Sequence, residues 1–429
     1  MRFHVLACCV LFFAAPCLGS SRQPATGEDL TGPLLEAFGV GSTSRTALPA
    51  LTQLDAIATG TDTSAAHLKG QLKATLYAQL GAYDDALTQF PSGTFAKSLI
   101  KNPAPVPDSS FQPSDAAATI ARLAKGHRIV VVNEAHHAPQ TRTLIAELLP
   151  LLRAEGFTDY SLETLDARAL PDLQAQGAVR QHDGVYTREP VFSQLIRSAM
   201  HLGYRLDAHE YVGDESSQQE RETGEAENLV KLLRDHPQAR VLVHVGYAHV
   251  REGDYLSYRP MAAELKRLTG IDPLTIDETV FLPSPARPDL EAESYRSLLA
   301  RMPHERLTGM VFVNATGEPW SYEPTQYDVS VVLPSPMEKD GRPGWLWQPA
   351  LQRHTIPADP SLCAQTFPCA IAARWRGAPE DEVAADVVLL RSPSTHVALG
   401  LPPGRFILVA TDAEDRILGS RELPAIPSP

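Results

Sequence analysis

Cysteine is scarce in this chain, and the scarcity narrows its chemistry. Five cysteines occur in 429 residues, and Cys8, Cys9 and Cys17 fall within or beside the first nineteen. Only Cys363 and Cys369 remain, too widely spaced for a tight metal-binding pair, and their six-residue separation predicts a short-loop disulfide. Basic charge is also short, with 38 Lys and Arg against 51 Asp and Glu for a net −13. No basic patch with interleaved aromatics offsets it, which argues against nucleic acid or an anionic membrane as partner. Long hydrophobic runs are missing as well. The stretch Val5 to Ala15 is too short to span a bilayer, so no transmembrane span is expected. Gly-x-Ser-x-Gly, Gly-x-Gly-x-x-Gly and P-loop motifs are absent, which removes elbow-type serine hydrolysis and dinucleotide or nucleotide chemistry as first expectations.

What is present fits a folded soluble protein of two or three domains, with 43% apolar and 21% charged residues. Met1-Arg2-Phe3-His4 is a short basic n-region, Val5 to Ala15 an apolar h-region, and Cys17-Leu18-Gly19 a cleavage-like site. Residues 1–19 therefore read as a signal peptide, and the mature chain as periplasmic or secreted. Lipoprotein anchoring through Cys17 is disfavoured by Pro16. Residues 20–113 read as a helical segment and a Pro-rich linker. Within them Leu72 to Phe90 carries apolar residues at helical spacing, broken at Gly81, which predicts a helical hairpin.

From 114 to 350, strand-like runs at 128–133, 158–163, 204–208, 240–245, 273–280, 308–314 and 327–333 alternate with helix-like segments at 139–155, 190–202, 215–235 and 259–269. That alternation predicts an α/β domain, a mainly parallel sheet flanked by helices. Residues 354–429 hold short alternating segments punctuated by turns and predict a C-terminal β-sandwich of immunoglobulin-like type.

Two stretches carry the chemistry. Arg128-Ile-Val-Val-Val-Asn-Glu-Ala-His-His-Ala-Pro139 and Arg240-Val-Leu-Val-His-Val-Gly-Tyr-Ala-His-Val250 each run from an apolar strand into histidine. Side chains at the carboxyl end of a strand in an open α/β sheet project into the crevice where ligands bind. Glu134 and His136, two apart on extended backbone, face the same side and suit general-base or metal-ligand roles, or else belong to a solvated loop, with His137 following. Glu163, ending Asp159-Tyr-Ser-Leu-Glu163, can orient a histidine or hold a metal, or complement the dipole of a following helix. His209 and Glu210, in Asp207-Ala-His-Glu-Tyr211, join the same crevice or an exposed loop. Arg221 binds a carboxylate or oxyanion if buried, and pairs with neighbouring glutamates at the surface if not. His244 reads as a core histidine, whereas His249 lies just beyond the strand, past Tyr247 and a Gly246 that permits close backbone approach.

Together these residues resemble a known family. Asn133-Glu134-Ala135-His136, the Leu162-Glu163 pair, Arg221-Glu-Thr-Gly-Glu-Ala-Glu-Asn228 and Gly246-Tyr247-Ala248-His249 resemble the superfamily that joins ChaN-like haem-binding lipoproteins, erythromycin esterases, TraB proteins and the Tiki metalloproteases. The family carries Gly-Glu-x-His and Gly-x-x-His motifs and an Arg-Asp-x-x-Met-Ala-x-Asn helix. Here Asn133 stands for the glycine, which the tolerance of asparagine for left-handed backbone would accommodate, Glu222 for the aspartate and Glu225 for the methionine. The resemblance covers roughly residues 114–347 and implies a hydrolase in two branches, the Tiki branch using a divalent metal, and haem binding in a third.

The leading expectation is an exported hydrolase of a small-molecule or peptide ester or amide. Glu134, His136, Glu163, Arg221 and His249 are its catalytic set, with zinc or manganese on His136, Glu163 and His249 as the metal variant. The alternative is a non-catalytic haem- or metal-binding protein, with His137, His209, His244 and Tyr247 around the cofactor.

Overall fold

Strands whose side chains are apolar on both faces must be covered on both sides, and that requirement organises this molecule. The computed structural model describes residues 29–90, 105–213, 217–283, 293–303 and 306–428, so the signal-like segment 1–19 lies outside the described residues. Among the described residues four helices come first, α1 (Thr31–Gly39), α2 (Leu48–Ala56), α3 (Thr63–Gln79) and α4 (Tyr83–Gln89). Asp62 caps α3 by accepting from the Ser64 and Ala65 N–H groups at 2.9 and 3.0 Å. Gly81, at φ 67°, makes the expected break between α3 and α4. A Cβ there would lie 2.1 Å from the Val387 carbonyl, so the turn also permits close docking on the C-terminal region.

The α/β region then runs β1 (Gln112–Asp115), α5 (Ala116–Ala124), β2 (Ile129–Glu134), α6 (Arg142–Ala154), β3 (Asp159–Leu162), α7 (Leu170–Gln176), α8 (Pro190–His201), β4 (Arg205–Ala208), α9 (Gln218–Asp235), β5 (Val241–Gly246), α10 (Met261–Thr269), β6 (Leu274–Phe281), α11 (Glu293–Leu299), β7 (Met310–Val313) and β8 (Val329–Val332). All seven expected strands form. β1 does not belong to that set: Gln112-Pro-Ser-Asp115 has no apolar alternation and forms only as an edge strand paired with β7. The eight strands lie in the order β1-β7-β8-β6-β2-β5-β3-β4. The six from β8 to β4 are mutually parallel, while β7 runs against them and β1, antiparallel to β7, forms the edge.

This order positions the site. After β2 the chain crosses to β3 and β4, returns to insert β5 between β2 and β3, then places β6 on the other side of β2. The strand order reverses at β2, the switch point where crevices open beyond strand ends. Register aligns those ends, pairing Glu134 with Gly246 and Leu162 with His244. The period of two sorts the side chains. Val130, Val132, Tyr160 and Leu242 share one core with α6 and α8, while Val131, Val243 and Val245 share another with α9 and α10.

Residues beyond the large sheet add a short hairpin, β9 (Glu338–Lys339) with β10 (Arg342–Pro343), and then the antiparallel C-terminal region. There β11 (His354–Pro357) pairs with β14 (Ala398–Leu401), and β12 (Cys369–Trp375), β13 (Asp386–Leu390), β15 (Phe406–Thr411) and β16 (Ile417–Glu422) form a sheet in the order β13-β12-β15-β16. Both layers close over one core that includes the Cys363–Cys369 disulfide. β12 and β13 are buried on both faces. Ile371, Val388 and Leu390 point into that core, whereas Ala370, Ala372, Val387 and Leu389 join the core of the N-terminal helices. Among the described residues no helix is long and apolar enough to cross a membrane.

Candidate functional site

Two clusters of charge, one from each face of the sheet, meet above the end of β5. On the α6 and α8 face, β2 ends in Glu134, which is 2% exposed. Arg142, at the start of α6 and fully buried, grips its carboxylate bidentately, Nε to Oε2 at 2.6 Å and Nη2 to Oε1 at 2.9 Å. Its remaining Nη1 donates to Glu189 Oε2 at 2.8 Å. Burial alone would raise the Glu134 carboxyl, but the Arg142 guanidinium holds it well below the usual carboxylate range. Glu134 Oε1 lies 2.7 Å from His136 Nδ1, and the carboxylate, which can only accept, orients the ring through that contact. The His136 ring stacks on Tyr186 at 3.7 Å and meets Tyr247 at right angles.

On the α9 and α10 face stands Glu163, the residue after β3. Its Oε2 accepts from the Gly246 N–H, and its Oε1 from Arg221 Nη2 at 2.7 Å. Arg221 is 2% exposed, so the surface ion-pair alternative does not hold, and Glu163 is equally a buried site residue rather than a helix N-terminal acid. Arg221 also reaches Glu210 Oε1 at 3.2 Å and Glu225 Oε1 at 3.1 Å. His249 directs Nδ1 at Glu222 Oε2 (2.8 Å) and Glu225 Oε2 (3.2 Å). Burial would lower the imidazole, yet Glu222, Glu225 and Glu163 raise it to about 10. His249 Nε2 lies 3.1 Å from Arg221 Nη1 and 3.5 Å from Glu163 Oε1.

Gly246 joins the clusters. A Cβ at this position would lie 2.4 Å from His136 Nε2 and 3.3 Å from Glu163 Oε2, so only glycine leaves room for the imidazole and the carboxylate to face each other. Glu134, His136, Glu163, Arg221 and His249 are thus brought into one crevice at the ends of β2, β3 and β5. Side-chain exposure of 14% for His136 and 10% for His249 leaves a narrow opening to solvent.

The other expected residues take outer places. His137 turns away from the acids, with Nδ1 on the Tyr247 hydroxyl at 2.9 Å, and burial lowers it to about 3. His209 and Glu210 are buried, which overturns the exposed-loop alternative. His209 Nδ1 lies 2.9 Å from Ser161 Oγ, which itself donates to Asp207, and burial lowers this imidazole to about 3. His244 is the core histidine expected, 2.8 Å from the Tyr160 hydroxyl, and its Nε2 also comes within 3.2 Å of Glu134 Oε2. Asn133 does not turn the chain. It lies in β2, where Nδ2 donates to Asp277 Oδ1 at 2.9 Å and to the Tyr247 carbonyl at 2.8 Å. The left-handed residue is instead Tyr247, at φ 38°.

Sequence reasoning missed Arg142, Glu189, Glu222 and Glu225 as site residues. Glu225 replaces His136 in the potential metal set: ligand atoms of Glu163, Glu225 and His249 all lie within 4.8 Å of one another and could hold a metal ion. The donor set suits a divalent cation, and Glu225 is fully buried, its oxygens paired with the Arg221 and His249 side chains. Charge points the same way. Four buried carboxylates, Glu163, Glu210, Glu222 and Glu225, face two cations, Arg221 and His249. Burial, with Glu163 nearby, pushes Glu210 up to about 7, and Glu225 is held well above the ordinary range by burial and its acidic neighbours.

No family model matches the chain, and no curated protein matches it. Its structural neighbours are bacterial toxin domains at low identity. One solved structure of bacterial protein toxins is 16% identical over 54% of this chain and 52% of that one, with a TM-score of 0.29. RRSP, a MARTX toxin effector domain from Vibrio vulnificus, is 17% identical over 51% and 50%, with a TM-score of 0.27. A third structure, of bacterial protein toxins, is 15% identical over 51% of each chain, with a TM-score of 0.29. The chain spans about half the length of each of these structures.

Proposed function

We propose that this chain is an exported hydrolase of the ChaN, erythromycin esterase and Tiki type, cleaving an ester or amide bond of a small molecule or peptide. One observation carries the reading: a carboxylate-oriented imidazole, His136, and Glu163, itself held by Arg221 and His249, flank the space above Gly246 from opposite sides of the sheet. Water placed there gives its proton to His136 Nε2, and its oxygen adds to the carbonyl carbon. Arg221 and protonated His249 take up the charge of the tetrahedral oxyanion, and His136 returns the proton to the leaving oxygen or nitrogen. A divalent ion held by Glu163, Glu225 and His249 would supply Lewis acidity in place of the His249 proton, leaving Arg221 as the remaining cation. The Cys363–Cys369 disulfide supports the export part of the reading. The haem alternative draws less support, because His249 Nε2 lies 3.5 Å from Glu163 Oε1 among four buried carboxylates, Glu163, Glu210, Glu222 and Glu225, surroundings that suit a hard cation better than a porphyrin.

The test is an ester and amide substrate panel, run on chelator-treated chain with and without added Zn²⁺ or Mn²⁺. Turnover in the parent should fall by at least about 100-fold in His136→Ala and in His249→Ala, the scale of losing a proton-transfer or oxyanion partner. Undiminished turnover in either variant overturns the assignment.

A further inference from the structure

The groups that hold Glu134 do not end inside the α/β region. Glu189 accepts from Arg142 and caps α8 through the Val191 and Phe192 N–H groups. It also accepts the phenol O–H of Tyr83 at Oε1, at 3.0 Å. Tyr83 is the first residue of α4, in the N-terminal helices, and is 3% exposed. Two further contacts from those helices reach the same surroundings. Gln79 Nε2 donates to the Val185 carbonyl at 3.1 Å, one residue before the Tyr186 ring that stacks on His136. The Phe90 ring meets His137 edge-on at 4.6 Å. Burying apolar area would have required no phenol here, since a buried hydroxyl is costly unless paired.

We infer that Tyr83 is a positioning residue of this site: through Glu189 and Arg142 it fixes the Glu134 carboxylate, and so the orientation of His136. The inference rests on the hydrolase reading and extends it by making the N-terminal helices a working part of the site. The physical reason lies in Arg142. Its planar guanidinium is divided between two carboxylates, Nη1 on Glu189 and Nε with Nη2 on Glu134, so a rotation of Glu189 tilts the plane that grips Glu134. Without the Tyr83 hydroxyl, Glu189 Oε1 keeps only the Val191 N–H and is freer to rotate.

The experiment uses the full chain with ¹⁵N-labelled histidine. The Nδ1–H resonance of His136 is assigned by its loss in His136→Gln, and is then followed in Tyr83→Phe, Glu189→Gln and a control, Tyr77→Phe. The control ring faces Lys73 and Arg391, outside the chain of contacts. The expected result is a shifted or broadened resonance in Tyr83→Phe and Glu189→Gln, none in Tyr77→Phe, and a melting midpoint in Tyr83→Phe, which keeps its ring, lowered by no more than the loss of one hydrogen bond. On any substrate turned over, Tyr83→Phe should lower kcat about fivefold at constant KM, the rate equivalent of one hydrogen bond. An unmoved resonance in both variants overturns the inference, and should Tyr83→Phe melt early, Glu189→Gln decides on the same signal. A moved resonance without turnover on any substrate would sink the hydrolase reading and leave Tyr83 as the positioning residue of His136.

Discussion

Arg142 shows what one residue can decide. Placed in the first turn of α6, it stands against the helix dipole, which disfavours cations there. Its partners explain the position: two buried carboxylates, Glu134 and Glu189, share one fully buried guanidinium. Removing the cation strands both acids without solvent. Arg142→Met is therefore expected to cost about 3–5 kcal/mol in denaturant unfolding, the range for breaking one side of a buried ion pair. Adding Glu134→Gln and Glu189→Gln to that variant should recover part of the loss, because amides leave no unpaired charge. A triple variant no more stable than Arg142→Met would assign the loss to packing instead.

At the scale of elements, the strands and most helices were legible because period and run length report burial directly. β2 and β5 read as strands covered on both faces, and they are. The site was legible where chemistry sits at strand ends, at Glu134, His136, Glu163 and His249. It was missed where charge occupies a helix's buried stripe. On α9 the apolar positions Ala226, Leu229 and Leu233 continue backwards by helical steps to Glu222 and Glu225, so these acids lie where a core residue belongs. Reading them as mild replacements within a motif hid that signal. α6 carries another such acid, Glu147, whose Oε1 is buried without a hydrogen bond. Burial, with Asp115 nearby, raises its pKa from an ordinary 4.5 to about 7. The folded state therefore binds the proton more tightly, and stability is full below about 4.5 and lost as pH rises through about 7. Glu147→Gln should match the parent near pH 5 and exceed it at pH 8, by at most about 3 kcal/mol given partial solvent access. Melting curves at the two pH values check this; a constant difference would mean that Glu147 does not titrate differently on folding.

For the whole molecule, the question is whether the C-terminal strands form a separate body. Composition and turn spacing mark 354–429 off from what precedes it, but the packing does not. β12 and β13 send alternate side chains into the core of the N-terminal helices, and fully buried Asp386 on β13 pairs with Arg342 at 3.2 Å and approaches Arg353 at 3.7 Å. Arg342 in turn lies 5.1 Å from the Tyr83 ring, and Arg353 Nε donates to Gln194 Oε1 on α8 at 2.9 Å, so N-terminal helix, α/β region and C-terminal sheet meet around Asp386 and its two arginines. Sequence pattern cannot show such a junction, because it depends on which surfaces dock and not on how each element forms. Asp386→Ala leaves two buried arginines without their acid and should destabilise the chain by about 3–5 kcal/mol. If the three regions share their core as described, the loss lowers one cooperative transition, with helix content followed by circular dichroism and tryptophan fluorescence changing together. Two separated transitions, only one of them shifted, would mean that the C-terminal sheet folds by itself and that its contact with Tyr83 contributes nothing to holding the site.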